Sequence, residues 1–353
     1  MTPDKVRLAP IGLGRWAEVL AQGARRGSVI ELHNCFARSA DKRRAFREQH
    51  EVARAAGSLD ELLADPELEG VLVTTPNDIH REVIVAAAEA GKAVYTDKPI
   101  AHTLEDAAAI RGAVGRAGVP FAVGHHARRL SGHRVMKQWI DDGKLGHVSL
   151  AEANFSTGRG IDLTPDAWRW HADRSPGGAL IQLGVHHADT LQHLLGPVTA
   201  VTAHARRLAT PSEVPDTVMA VLEFENGALG YLGSGWASPG VYQMRLQGTD
   251  ANLMYDLESG HWNETDQTDR WGTLVSQRHR DAGRRPVELP PTDAVREQLE
   301  EFALAIRGEA RIEVGSEEAI RALAVVQAAL MSSEQQGRAI EVSAVLEGGG
   351  LAG

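Results

Sequence analysis

Val6-Arg7-Leu8-Ala9-Pro10-Ile11, followed by Gly12-Leu13-Gly14-Arg15-Trp16-Ala17, is an apolar run that stops at a glycine turn and opens a helical pattern. Strand, GxGxxA and helix in this order form the fingerprint of a dinucleotide-binding βαβ unit. Gly12 permits the tight turn, Gly14 lets main chain approach a pyrophosphate, and Ala17 allows the helix to pack closely on the strand. The phosphates would sit at the helix N-terminus, where free N–H groups and the helix dipole favour anions, with Arg15 and Trp16 beside them in the first turn.

Outward from this stretch, apolar runs of strand length at 6–11, 30–37, 70–76, 93–99 and 120–126 alternate with helical patterns at 15–26, 41–49, 78–90 and 103–117. That rhythm predicts a parallel, doubly wound sheet, with Gly27, Gly91 and Gly118 as left-handed helix C-caps. Beyond residue 126 the runs lengthen and alternate, at 149–156, 199–208, 217–226, 228–237 and 241–249, and two of them flank the hairpin signal Asn226-Gly227. These predict an antiparallel or mixed open sheet with a helix or two on one face. Residues 266–291 are polar and proline-containing and read as a surface excursion, helices are expected at 293–307 and 316–335, and the glycine-rich end after Glu347 reads as a frayed tail. The fold class expected is α/β: an N-terminal Rossmann domain over 1–125, then a C-terminal α+β domain with an open, largely antiparallel sheet over 126–353 for substrate binding and oligomerisation.

The 353 residues are 43% hydrophobic and 24% charged, as in ordinary globular domains, and the formal net charge of −10 argues against a nucleic-acid surface. Cys35 is the only cysteine, which excludes an intrachain disulfide or a cysteine-rich zinc site and fits a reducing compartment. No leader pattern is read at residues 1–5, and no apolar stretch approaches the ~18 residues of a membrane helix. The expectation is a cytoplasmic protein without nucleic-acid or membrane partners. His125-His126, His171 and His186-His187 lack the spacing of a zinc helix, so no metal is expected.

An NAD site would end its second strand on a carboxylate for the ribose 2′-hydroxyl; here Ala37-Arg38-Ser39 stand there, with Lys42, Arg43 and Arg44 behind. Arg38 offers a planar fork to a 2′-phosphate and nothing repels it, so NADP is favoured over NAD, with use of both left open.

Three further segments matter together: Thr74-Thr75-Pro76-Asn77 with His80; Asp97-Lys98-Pro99; and Gly177-Gly178 running through Gln182 to His186. With GxGxxA they resemble the Gfo/Idh/MocA family, the relatives of glucose-fructose oxidoreductase and inositol dehydrogenase, and the closing patterns at 302–307 and 332–338 resemble that family's last helices. The resemblance implies hydride transfer between nicotinamide and a carbinol or keto carbon of a sugar, inositol-like polyol or derivative, in a homodimer or homotetramer. It implies that Lys98 is the lysine of the family's Glu-Lys-Pro, with Asp97 for the glutamate and a cis peptide before Pro99. Thr75, Pro76 and Asn77, with His80, then line the nicotinamide half of the cofactor. Arg128 matches an arginine found after the family's sixth Rossmann strand near the substrate mouth, and Trp168-Arg169 matches the pair before the double glycine.

Alcohol oxidation needs a base with a pKa near neutrality, and His186 is the candidate; Lys98 would stabilise alkoxide character on the reacting oxygen. Trp168 and Trp170 would stack on a sugar face. Relatives carry Asp where this chain has Gln182, four residues before His186, and an amide cannot take a proton. Three readings follow: His186 acts with Lys98 alone; His187 or His125 assists; or the substrate needs less base catalysis. Two rivals to the dehydrogenase remain, a dinucleotide-binding regulator without catalysis and an enzyme that retains its cofactor through a transient keto intermediate.

Overall fold

The computed structural model describes residues 5–351, so the reading of the first residues as leaderless lies outside all but Lys5. The chain forms two compact units, residues up to His125 with Val295–Ala319, and His126–Ala294 with the remainder from Ile320. The sequence division at 125 thus misplaces 295–319, whose apolar face meets the first unit's core.

The first unit contains β1 (Val6–Ile11), α1 (Arg15–Arg26), β2 (Ile30–Leu32), α2 (Ala40–His50), α3 (Leu59–Leu63), β3 (Gly70–Val73), α4 (His80–Glu89), β4 (Ala93–Asp97), α5 (Leu104–Ala117) and β5 (Phe121–Gly124). All five strands are parallel in the order β2-β1-β3-β4-β5. Successive connections leave β1 in opposite directions, so the loops after β1 and β3 flank the switch point where α/β sheets bind ligands. Val6, Leu8, Leu20, Tyr95 and Ala122 share one core with Val295, Leu299, Phe302 and Ala303, and Gln298 accepts from Tyr95 at 3.0 Å while donating to the Val123 carbonyl.

The second unit contains α6 (Ser131–Asp141), β6 (Val148–Thr157), α7 (Val185–Leu195), β7 (Val198–Arg206), β8 (Thr217–Phe224), β9 (Leu229–Gly235), β10 (Gly240–Gly248), β11 (Ala251–Leu257), α8 (Thr268–Trp271), β12 (Gly272–Arg278) and β13 (Arg285–Val287). After α9 (Ala294–Ile306), which from Val295 belongs to the first unit, come α10 (Ser316–Glu334), β14 (Ile340–Glu341) and α11 (Val342–Gly348). The nine strands run β13-β12-β11-β10-β6-β9-β8-β7-β14, antiparallel except for β6 beside β9. Asn226-Gly227 lies in the β8–β9 hairpin, where Gly227 takes φ +86° and donates to the Phe224 carbonyl.

Several expectations need correction. The regular strand at 30–37 stops at Leu32: the Asn34 side-chain oxygen takes the Cys35 amide out of the ladder, and pairing with β1 resumes only as the single bridge of Phe36 with Ile11. Gly91 and Gly118 are left-handed, but Gly27 is not, at φ −89°; a Cβ there would meet only the movable end of the Glu300 side chain, so neither backbone conformation nor packing requires glycine at that position. Residues 266–291 are no excursion: α8, β12 and β13 lie there, and β12 pairs residue for residue with β11. The tail does not fray through Leu351, which is buried and donates to the Leu346 carbonyl. Arg128 follows a fifth strand, not a sixth.

Candidate active site

In the first unit the fingerprint folds as a cradle. Gly12 has φ +88°, and a Cβ on it would stand 2.8 Å from the Thr75 nitrogen and 2.9 Å from the Thr74 carbonyl carbon, so only glycine lets the two loops touch. The Thr74 hydroxyl donates to the Gly12 carbonyl. Gly14 caps α1 without a side-chain acceptor and has open space on its Cβ side, while Ala17 is fully buried against the sheet. Arg15 is exposed, and Trp16 is half-buried against the core.

The loop after β3 carries two buried polar atoms that meet no partner among the described residues, the Thr75 hydroxyl and the Asn77 amide nitrogen. Such orphaned groups beside a glycine cradle and an uncapped helix start fit a polar ligand such as a dinucleotide. Pro76 precedes the short turn Asn77–Ile79 that leads into α4. His80 is fully buried, its two ring nitrogens each 3.0 Å from a carbonyl oxygen, those of Thr75 and Pro99. Burial pushes its pKa down to about 4 against the pull of those carbonyls, so at neutral pH its single N–H serves one of them. His80 therefore joins the loop of Thr75 to that of Lys98 instead of facing outward, and the Lys98-Pro99 peptide is cis. Beyond β2, Arg38 is exposed; the Ser39 hydroxyl is already engaged, accepting from the Lys42 amide as the cap of α2; and Arg43 donates to the Ala37 carbonyl at 2.6 Å, bracing the loop that carries Arg38.

In the second unit a π-helical turn, Leu180–Gly184, runs into α7 and carries Gln182. The Gln182 oxygen accepts from Arg169 Nε and its nitrogen donates to the Ser175 hydroxyl, both at 3.4 Å. Arg169 also lays its guanidinium over Trp168 at 4.2 Å, so one face of that ring is occupied. His186 is 1% exposed and meets three rings: His126 edge-on at 5.4 Å between centroids, Trp262 at 5.0 Å and Phe155 at 5.9 Å. Its neighbour His187 is fully buried against Tyr242 at 4.8 Å and His133 at 6.3 Å, and burial pushes its pKa down to about 3. Burial likewise raises the Tyr242 hydroxyl well above its ordinary value.

Arg128, read from sequence as a substrate residue, has its fork committed to Asp189 by two bonds of 2.8 and 2.7 Å, with both side chains buried. His187, read from sequence as a group assisting His186, packs in a cage of Tyr242 and His133. Sequence reasoning missed Trp262, which sits in no recognisable motif, and Asp189, whose only signal is its place three residues after His186. Among the described residues, His33, Asp65 and Glu67 come within metal-ligand range of one another, but Arg54 already bridges the two carboxylates at 3.0 and 2.9 Å.

The model of an oxidoreductase family with an NAD-binding Rossmann fold matches residues 6–125, and that of the GFO/IDH/MocA C-terminal domain matches residues 133–254. The chain belongs to the Gfo/Idh/MocA family. It is accordingly an oxidoreductase with an NAD-binding Rossmann domain. Within the family, a candidate NADPH-dependent oxidoreductase of Desulfitobacterium hafniense is similar in structure with a TM-score of 0.93 and 39% identity, over 97% of this chain and 99% of its own. The 1,5-anhydro-D-fructose reductase of Ensifer adhaerens is 28% identical over 337 residues, 94% of this chain and 97% of its own. The NADP-dependent scyllo-inositol 2-dehydrogenase of Bacillus subtilis is 26% identical over 297 residues, 80% of this chain and 82% of its own. No described helix is long and apolar enough to cross a membrane.

Proposed function

We propose that this chain interconverts a carbinol and a keto carbon on a neutral, ring-closed sugar or polyol, with NADP(H) as the favoured partner. The observation that carries this reading is His186, a buried imidazole walled by Trp262, Phe155 and His126, in a family of oxidoreductases. Aromatic walls suit the apolar faces of a sugar ring, and an imidazole suits proton exchange with a hydroxyl near neutral pH. The relatives named for an anhydro sugar and an inositol point to the same substrate class.

When bound, the nicotinamide supplies the hydride acceptor or donor. Gly12, Gly14 and the start of α1 receive the pyrophosphate, Thr75 and Asn77 satisfy their buried polar atoms on the nicotinamide half, and His80 and Pro76 hold that loop. Lys98 stabilises negative charge on the reacting oxygen, and His186 removes or returns its proton. Gln182 and Arg169 brace the wall with Trp168, while Arg128 and His187 serve the interior. Arg38 favours the 2′-phosphate, and the NADPH and NADP named for two relatives support that choice. A homodimer or homotetramer would form through the open sheet face, where Met219, Val221 and Leu229 are exposed. The test is reduction of NADP+ and NAD+ by purified protein with neutral sugar alcohols, anhydro sugars and inositols, set against His186→Ala and Lys98→Ala.

A further inference from the structure

We propose that Glu264 is a positioning residue for the aromatic wall: by bonding His261 and Trp271 at once it holds Trp262 against His186, and so sets how tightly a ring substrate binds. The inference rests on the reading of His186 as the base in that wall. Residues 258–271 join β11 to β12. The neck of this connection is shut, because Leu257 pairs with Gly272 and the Glu258 amide donates to the Trp271 carbonyl at 3.0 Å. Its far limb is tied down as well: the Thr265 carbonyl accepts from the Ala294 amide at 3.0 Å, and the Thr268 and Thr292 hydroxyls meet at 3.1 Å. Between those anchors Trp262 lies against four rings, Phe155 at 4.6 Å between centroids, His126 at 4.9 Å, His186 at 5.0 Å and Tyr242 at 5.1 Å.

The residue before this indole is engaged elsewhere. The His261 ring, half-buried, lies flat on the Trp271 ring, with centroids 3.6 Å apart and planes 6° from parallel. Glu264 spans the stack: its Oε1 accepts from His261 Nδ1 at 2.8 Å, and its Oε2 accepts from Trp271 Nε1 at 2.9 Å. A carboxylate only accepts, so His261 Nδ1 carries the proton of that bond. The bond from His261 holds the Glu264 carboxyl below its ordinary 4.5, which leaves an ionised double acceptor at neutral pH. Turn bonds carry the constraint to the indole, since the Glu264 amide donates to the His261 carbonyl at 2.9 Å and the Trp262 amide to the Ser259 carbonyl at 3.3 Å. A ring stack and two charge-assisted bonds that converge on one side chain leave residues 259–264 few conformations. The indole is therefore in place before a substrate arrives, and binding does not have to order it.

Trp262 can be followed without any substrate. In protein labelled with 5-fluorotryptophan, with two signals assigned through Trp262→Phe and Trp271→Phe, Glu264→Ala should move and broaden the Trp262 signal as well as that of Trp271. Glu264→Gln, which keeps one accepting oxygen, should move it less. In turnover, Glu264→Ala should raise KM for a ring substrate about 3–10-fold with kcat within about 2-fold, the pattern of lost ground-state binding. Trp262→Ala should raise KM at least as much, and adding Glu264→Ala to it should raise KM no further, because a residue that acts through Trp262 then has nothing left to position. A Trp262 signal that stays put in a folded Glu264→Ala overturns the proposal, as do KM losses that add in the double variant. Should Glu264→Ala fail to fold, Trp271→Phe, which keeps a ring on His261 but removes the N–H, must move the Trp262 signal in its place. A wild type without turnover on any sugar overturns the proposed function instead, and the fluorine signals alone then decide the role of Glu264.

Discussion

Arg38 is an exposed side chain on the loop beyond the second strand, where a carboxylate would select NAD. A planar fork on a phosphate contributes about 1.5–3 kcal/mol, so Arg38→Asp should weaken NADP+ binding roughly 10–100-fold and leave NAD+ equal or improved. Titration of both cofactors checks this, and parallel losses for the two would show that Arg38 reads no phosphate. At this scale the sequence is informative where chemistry is tied to a motif. Gly12 must have its left-handed φ, and the Lys98-Pro99 bond is cis as the resemblance implies. It is silent where partners are remote. The fork of Arg128 meets a carboxylate 61 residues away, and nothing local signals that the guanidinium is spent inside the fold. Trp262 and His126 are distant in sequence as well, and only the second unit's folding puts both against His186.

The short turn of His126 and helix α7 behave as one part because a buried ion pair clamps them. Removing one partner strands a charge, so Asp189→Asn should cost about 3–5 kcal/mol, read as a lowered urea midpoint. Replacing both partners, Arg128→Met with Asp189→Leu, should recover most of that stability yet leave kcat depressed, because α7 loses the clamp that fixes the His186 ring in its aromatic wall. Full recovery of kcat along with stability would reduce the clamp to packing. Regular elements with a clean period are legible, and α1, α5 and the strands β6 to β10 fall where periodicity puts them. Elements whose signal is diluted by polar residues are not. Thr273, Gln277 and Arg278 make β12 read as surface loop, although Leu274 and Ser276 are buried and the ladder with β11 is continuous. Helix α9 is legible as a helix but not as part of the first unit, since its apolar face does not name the core it enters.

Across the whole molecule, His80, His133 and His187 are buried and neutral, their pKa values pushed by desolvation from 6.5 to about 4, 4 and 3. The unfolded chain binds these protons below 6.5 and the folded chain does not, so stability is full above that pH and falls as pH drops toward 4. Each histidine contributes a slope of about 1.4 kcal/mol per pH unit in that window. Urea midpoints measured from pH 7 to 4 should decline steeply, and His187→Phe should flatten the decline by about a third; a midpoint independent of pH would contradict the neutral, buried state of these rings. Asp65 and Asp216, whose carboxyls are held below their ordinary 3.8, add to the loss only at more acid pH. A dinucleotide cradle lies in the first unit and a buried imidazole in an aromatic wall lies in the second, and the proposed function stands on catalysis. The most direct measurement is nicotinamide reduction by the purified protein across neutral anhydro sugars, sugar alcohols and inositols. The account predicts turnover on at least one of them, faster with NADP+ than NAD+, and lost about 100-fold or more in both His186→Ala and Lys98→Ala. Tight binding of both cofactors with no turnover on any substrate, or turnover that survives His186→Ala, would contradict it.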